Sequence, residues 1–132
     1  MTDQAYPPLR VLSIGAGAIG TYIGGSLALH HQRVVFLEQP AIAAELRQRG
    51  LSLKLDEQEH HIPYPLIAAS LDEALALGPF DVALFALKSY DTGPVIQTLL
   101  PYAEQLPSIL CLQNGVDNEG ALGVAFGEQR VI

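Results

Sequence analysis

The chain has 132 residues, 49% of them hydrophobic and 16% charged, which is enough for one compact domain with a buried core. Seven Lys and Arg against 14 Asp and Glu leave a net charge of −7, a balance that argues against nucleic acid or an anionic membrane as a partner. The single cysteine, Cys111, cannot form an internal disulfide, and no apolar run reaches the roughly 18 residues of a membrane span. These features predict a cytoplasmic protein.

The first residues differ from the rest of the chain. Residues 1–8 are polar, end in two prolines and lack the basic start and apolar stretch of a signal peptide. We predict a flexible arm over 1–8 and a single folded domain over 9–132. The domain opens with an apolar run, 11–14, that predicts a buried strand.

This strand runs directly into a G-x-G-x-x-G motif, Gly15-Ala16-Gly17-Ala18-Ile19-Gly20. Between a strand and a helix, such a motif binds the diphosphate of a dinucleotide at the start of the helix. The first glycine permits a tight turn, the second lets the backbone approach the phosphates, and the third lets the helix lie close to the strand. We predict that these six residues bind a cofactor; the alternative is a glycine-rich turn without a ligand.

The helix that follows the motif has Ile19, Ile23 and Leu27 on one face and runs to about residue 31. Its interior contains Gly24 and Gly25, each of which costs about 1 kcal/mol relative to alanine. We expect close packing of this helix on the sheet to offset that cost.

The second predicted strand, 34–37, is continuously apolar and ends at Glu38. Glu38 follows the first glycine by about 20 positions, where an acidic side chain accepts hydrogen bonds from both ribose hydroxyls of NAD. The 2′-phosphate of NADP would face this carboxylate, so Glu38 favours NAD. The alternative is a solvated glutamate at the end of a strand.

Residues 40–50 carry a helix pattern with Pro40 at its start and Gly50 as its stop. Over 51–69 the pattern changes to apolar–polar alternation, a polar stretch and two prolines. We predict an antiparallel or meandering insert at the sheet edge, because proline is excluded from central strands. The adjacent histidines at 30–31 and 60–61 point in different directions and make poor ligand sets, so no metal site is predicted.

The rest of the chain continues to alternate helix and strand patterns. Ser70 and Glu73 form a capping box at the start of a short helix. The remaining predicted elements are a strand over 82–87, a helix over 94–106 with a break at Pro101, a strand over 109–112, a helix from 117 or 118 to 126, and the opening of a strand at 130–132.

This alternation predicts an α/β fold, a Rossmann-type, doubly wound, mainly parallel sheet with helices on both faces. In such a sheet the ligand lies outside the carboxyl ends of the strands. The polar groups that follow the core strands are the glycine loop, Glu38, Lys88 and Asn114. Taken alone, Lys88 is more often a surface charge, and Asn114 is more often the turn residue of an Asn-Gly pair.

Three segments together resemble the N-terminal, NAD(P)-binding domain of the ketopantoate reductase (2-dehydropantoate 2-reductase) family. They are GAGAIG at 15–20, LKSYDT at 87–92 and LQNGVDNE at 112–119, in matching order and spacing. The resemblance implies that the glycine loop binds a nicotinamide dinucleotide. It also implies that Lys88 and Asn114 lie near the nicotinamide ribose and the substrate, a small 2-keto acid that is reduced in pantothenate biosynthesis.

The chain departs from this family in two respects. Family members usually carry a basic residue after the second strand, which holds the 2′-phosphate of NADPH, whereas this chain has Glu38-Gln39. This difference favours NADH over NADPH. The family's proton-donating lysine and a substrate-binding carboxylate belong to a second, helical domain, and this chain stops before it. We therefore name no catalytic residue and expect the chain alone to be inactive, either as a fragment or as a standalone module.

Three functions remain open from the sequence. The first is the cofactor domain of an oxidoreductase that reduces ketopantoate, acting with a missing C-terminal domain or as a homo-oligomer. The second is a non-catalytic NAD-binding module. The third is the cofactor domain of another two-domain hydroxy-acid dehydrogenase, which the LKSY and QNG segments disfavour.

Overall fold

A computed structural model describes residues 7–86, 89–112 and 116–132, excluding the side chains of residues 18, 89–92 and 116–119. The strands are β1 (Arg10–Ile14), β2 (Arg33–Leu37), β3 (Leu51–Leu55), β4 (Gln58–Ile62), β5 (Leu66–Ala68), β6 (Val82–Phe85) and β7 (Ser108–Cys111). The α-helices are α1 (Ala18–Leu29), α2 (Pro40–Arg49), α3 (Leu71–Ala76), α4 (Ser89–Leu99) and α5 (Val116–Phe126), with 3₁₀ segments at Leu100–Gln105 and Glu128–Arg130.

Five strands form a parallel sheet in the order β5-β2-β1-β6-β7. The central strands are continuously apolar because both faces of the sheet are covered. Successive residues of β1 pack into opposite layers: Val11 contacts the core under α1 and α2, and Leu12 contacts the core under α3, α4 and α5. Both residues are fully buried. The predicted Rossmann-type architecture with helices on both faces is confirmed.

The two interior glycines of α1 pack against different neighbours. A Cβ added at Gly24 would lie 2.8 Å from Cε1 of Phe36 in β2, so the predicted close packing on the sheet is confirmed there. A Cβ added at Gly25 would instead lie 3.1 Å from Cδ1 of Leu53 in β3. Helix α1 is therefore packed between the parallel sheet and a second layer that contains β3.

That second layer corrects the prediction for 51–69. Strands β3 and β4 pair in antiparallel, as predicted, with Leu51 opposite Ile62, but they form a separate two-stranded sheet and do not extend the edge of the main sheet. For β5 the predicted position at the sheet edge is confirmed, but the strand pairs in parallel with β2, which corrects the predicted antiparallel or meandering arrangement. Ile67 and Ala68 are buried there, and Pro65 precedes the strand, where it removes no hydrogen bond of the ladder.

The turn into α3 contains half of the predicted capping box. Ser70 Oγ accepts a hydrogen bond of 3.2 Å from the Glu73 amide. The Glu73 carboxylate accepts from the Ala69 amide, one residue before the cap, and from Arg47 Nη2 of α2 at 2.9 Å. Arg47 also donates to the carbonyl of Ile67 in β5. This network fastens the edge strand and α3 to α2.

The elements after β6 begin earlier than predicted. Helix α4 starts at Ser89 and contains Pro94 in its interior, where proline has no amide to donate to the helix. The predicted break at Pro101 is confirmed by the change to 3₁₀ geometry at Leu100. Helix α5 starts at Val116, so residues 117 and 118 are not its caps. The predicted last strand is reduced to one parallel bridge, between Val131 and Ile109.

The predicted flexible arm falls mostly on residues 1–6, which lie outside the described residues, so it stays a prediction. Among the helices of the described residues, none is both long enough and apolar enough to cross a membrane.

Candidate functional site

The glycine loop connects β1 to α1 through a turn that requires glycine at its first position. Gly15 has a φ of 102°, in the left-handed region that favours glycine, and its amide donates to the Leu37 carbonyl at 3.0 Å. The loop is thus anchored to the end of β2, and Gly17 is the N-cap residue of α1.

Close packing of the helix against the loop also requires glycine at the third position of the motif, Gly20. A Cβ added at Gly20 would lie 2.4 Å from the Gly15 carbonyl oxygen, closer than any real contact of this kind. The same carbonyl accepts a hydrogen bond of 2.9 Å from Ser13 Oγ, and the Ala16 carbonyl accepts one of 2.8 Å from Thr21 Oγ1. Sequence reasoning missed Ser13, although a hydroxyl inside a buried strand is itself a signal that a nearby acceptor needs it.

The second glycine of the motif, Gly17, borders open space. A Cβ added there would have nothing within 4 Å, and Gly17 has no side chain to cap the helix. An α-helix leaves its first amides without intrahelical acceptors, and its dipole makes this end positive. Ala18 is the first residue of α1, and Ile19 beside it is 40% exposed. The start of α1 therefore has the geometry and charge that a phosphate group needs.

The carboxylate of Glu38 is held against the glycine loop. Its Oε2 accepts from the Ala16 amide at 2.9 Å, and its Oε1 accepts from the Gln39 amide at 2.9 Å. The Glu38 amide in turn donates to the Ala68 carbonyl at 3.0 Å. The half-buried side chain is therefore not the freely solvated glutamate of the alternative interpretation.

An open cleft of about 490 Å³ lies between the glycine loop and the β3–β4 hairpin. On one side it is bounded by the loop and the first turn of α1, and on the other by β3. Its lining residues are Ala16, Gly17, Thr21, Tyr22, Ser52, Leu53 and Lys54. The contribution of β3 was not predicted from the sequence, because the strand lies beside the loop through its packing on α1, where Leu51 and Leu53 contact Gly25.

The two remaining predicted site residues, Lys88 and Asn114, lie outside the described residues. The strands that precede them end at the same edge of the sheet as β1. Phe85 of β6 is in register with Ile14 on one side and with Cys111 on the other. The roles of Lys88 and Asn114 therefore stay predictions.

The histidines make local contacts. His30 Nδ1 lies 2.7 Å from the Ser26 carbonyl oxygen, and His61 Nδ1 lies 3.0 Å from Ser52 Oγ. In the part of the chain that the structure describes, no three His, Cys, Asp or Glu residues are grouped as a metal site would need. Cys111 is half-buried in β7.

The parallel sheet, with its glycine loop between β1 and α1, defines a Rossmann-like α/β domain. Residues 11–132 match the family model described as Ketopantoate reductase PanE/ApbA, and the chain belongs to that family.

Individual relatives agree with this assignment. The Uncharacterized oxidoreductase YkpB of Bacillus subtilis is 32% identical over 94% of this chain and 39% of its own length. A 2-dehydropantoate 2-reductase of Mesorhizobium japonicum is 27% identical over 94% of this chain and 43% of its own. The crystal structure of 2-dehydropantoate 2-reductase from Geobacter metallireducens GS-15 has a TM-score of 0.77 and 31% identity, covering 93% of this chain and 40% of that one. The chain thus spans about two fifths of the length of the curated relatives it matches.

Proposed function

We propose that the chain binds a nicotinamide dinucleotide, with NADH preferred, as the cofactor-binding part of an oxidoreductase that reduces a 2-keto acid. The observation that carries the proposal is the Glu38 carboxylate on the Ala16 amide, beside the open space at Gly17. The contact supports the proposal because an acid that binds the ribose and a helix start that binds the diphosphate must lie next to each other. The similarity to 2-dehydropantoate 2-reductases supports ketopantoate as the keto acid.

Each described part of the site has a task in this proposal. The first amides of α1 hold the diphosphate, and Glu38 accepts hydrogen bonds from the adenosine ribose hydroxyls while it orients the loop. The nicotinamide supplies a hydride when it is bound. By the family resemblance, Lys88 and Asn114 hold the nicotinamide ribose and the keto acid. We assign the proton donor to no residue of this chain.

The preference for NADH rests on charge. Neither Glu38 nor Gln39 offers a cation to a 2′-phosphate, and both oxygens of the Glu38 carboxylate already accept hydrogen bonds from backbone amides. An uncompensated carboxylate facing a phosphate costs about 1–3 kcal/mol, or about 5- to 150-fold in affinity.

A titration of the 132-residue chain with NADH and NADPH, followed by nicotinamide fluorescence, tests the proposal. We expect saturable binding of NADH with a Kd at least about fivefold lower than that of NADPH. The matched control is Glu104→Gln, which removes an exposed carboxylate from the 3₁₀ segment after α4 and should leave both Kd values unchanged. Absence of binding would overturn the cofactor role, and equal or tighter binding of NADPH would overturn the assignment of Glu38.

The alternatives differ from this proposal in turnover and substrate. A non-catalytic NAD-binding module would bind the cofactor and reduce no keto acid even in the full-length protein. Another hydroxy-acid dehydrogenase would reduce a different keto acid. A second domain or a homo-oligomer that completes the site is part of our proposal, because the relatives are much longer than this chain.

The cytoplasmic location stays a prediction.

A further inference from the structure

The β3–β4 hairpin places one cation beside the glycine loop. Leu51 and Leu53 are buried against α1, so the alternation of side chains along β3 turns Ser52 and Lys54 outward. Lys54 is exposed, yet it lines the same cleft as Gly17 at the start of α1. It is one of only two lysines in the sequence, the other being Lys88.

The charge of Lys54 is available to a ligand. Among the described residues that line the cleft it is the only charged side chain, and none of the ion pairs within the described ranges includes it. Glu59 lies directly opposite Lys54 in the hairpin register and is the nearest competitor along the ladder. The site otherwise has a negative bias, because Glu38 contacts the loop and the whole chain carries −7.

We propose that Lys54 binds the diphosphate of the dinucleotide from the hairpin side, opposite the amides of α1; this inference rests on the proposed cofactor role. A lysine ammonium is a compact charge on a flexible stem and is well suited to a phosphate that helix amides hold from the other side. The cleft favours the diphosphate over the adenosine 2′-phosphate. Its lining includes Ala16 and Gly17 but neither Glu38 nor Gln39, the two residues that the proposed function assigns to the adenosine ribose and its 2′ position.

The test is the affinity of the 132-residue chain and its Lys54→Gln variant for NADH, NADPH and ADP-ribose, which carries the diphosphate without the nicotinamide. We expect Lys54→Gln to weaken the binding of all three by a similar factor, about three- to tenfold at low salt. The loss should shrink as ionic strength rises, because an exposed ion pair is screened. The control, Arg49→Gln, removes one cation from an exposed ion pair on α2 and should change no Kd.

A second variant tests the same contact in the opposite direction. Glu59→Gln removes the carboxylate opposite Lys54 and should tighten NADH binding by up to about twofold. This gain should vanish in the Lys54→Gln background. Both residues are exposed, so thermal unfolding should confirm that the variants remain folded.

The outcomes separate the two proposals. If wild-type chain binds none of the three probes, the cofactor role and this inference both fail. If wild type binds NADH and Lys54→Gln binds it equally well, only the role of Lys54 fails. A loss confined to NADPH would also overturn the inference, because it would place Lys54 at the 2′-phosphate.

Discussion

The carboxylate of Glu38 accepts a hydrogen bond of 2.9 Å from the backbone amide of Ala16, and so joins the end of β2 directly to the glycine loop. The anchor is doubled by the Gly15 amide, which donates to the Leu37 carbonyl in the same strand. One side chain therefore both orders the loop and sets the charge beside it. These two contributions are separable by substitution.

We first predict that Glu38→Gln changes cofactor selectivity more than it changes NADH affinity. The amide oxygen of Gln can still accept from Ala16, whereas the negative charge that opposes a 2′-phosphate is lost. The ratio of the NADPH Kd to the NADH Kd should fall by about 5- to 150-fold. Glu38→Ala removes the acceptor as well and should weaken both cofactors. A ratio in Glu38→Gln equal to that of wild type would contradict the charge argument.

Gly20→Ala should destabilise the fold. Its Cβ would lie 2.4 Å from the Gly15 carbonyl oxygen, and backbone on both sides must move to relieve the overlap. Overpacking of this kind typically lowers the free energy of unfolding by about 1–3 kcal/mol. The control is Gly120→Ala in α5, where a Cβ would have nothing within 4 Å and should stabilise the helix by up to about 1 kcal/mol. Urea denaturation measures the free energy of unfolding of both variants. Equal stability of the two would refute the close contact between Gly20 and the Gly15 carbonyl.

The Arg10–Asp81 pair should contribute acid-sensitive stability. Arg10 donates to the Asp81 carboxylate from its side chain, at 2.9 Å from Nη2, and from its backbone amide at 2.8 Å. The side-chain hydrogen bond, followed by the backbone one, holds the pKa of Asp81 below its ordinary value of 3.8. A lowered folded pKa means that the contribution is complete above about pH 4 and is lost as pH falls through the folded value.

Asp81→Asn should therefore be less stable than wild type at pH 7, with a difference that narrows as the pH falls below 3.8. Urea midpoints measured across this range decide the matter. Glu104→Gln, which also removes one exposed carboxylate, is the control. A stability difference between Asp81→Asn and wild type that stays constant with pH would show that the charge of Asp81 does not contribute.

Lys88→Ala and Asn114→Ala should each weaken NADH binding modestly. In the sequence, Lys88 comes three positions after β6 and Asn114 three positions after β7, and the carboxyl ends of these parallel strands meet at the edge that carries the glycine loop. Surface substitutions away from packing usually change stability by less than about 0.5 kcal/mol, so the Tm should stay close to that of wild type. Unchanged affinity in either variant would remove that residue from the site.

The 132-residue chain should bind NADH without reducing ketopantoate. It matches about two fifths of the length of its relatives, and we assign no proton donor within it. General acid catalysis alone is typically worth about 10²–10⁴ in rate. Absorbance at the NADH band with saturating ketopantoate measures the rate. Saturable turnover by this chain would show that one of its own residues donates the proton.

Much of the site was predictable from the sequence because its signals are local. Gly15 needs a positive φ for a turn directly after a strand, and Gly20 must lack a Cβ one turn into the helix. The apolar strands predict a sheet covered on both faces, and parallel strands place the polar residue at each carboxyl end on one edge. The position of Glu38 beside the loop follows from these facts together.

The packing of the hairpin and the pairing of β5 were decided only by the tertiary structure, because they depend on contacts between residues that are distant in the sequence. The alternation over 51–55 shows that β3 has two faces, but it does not say which element covers the apolar one; the answer is α1, at Gly25. Similarly, the apolar residues Ile67 and Ala68 are compatible with a strand of either direction. Their pairing with β2 is what makes β5 a parallel edge strand of the main sheet. Because such pairings bring together segments that no local pattern links, Lys54 reaches the cleft through the fold and not through any motif.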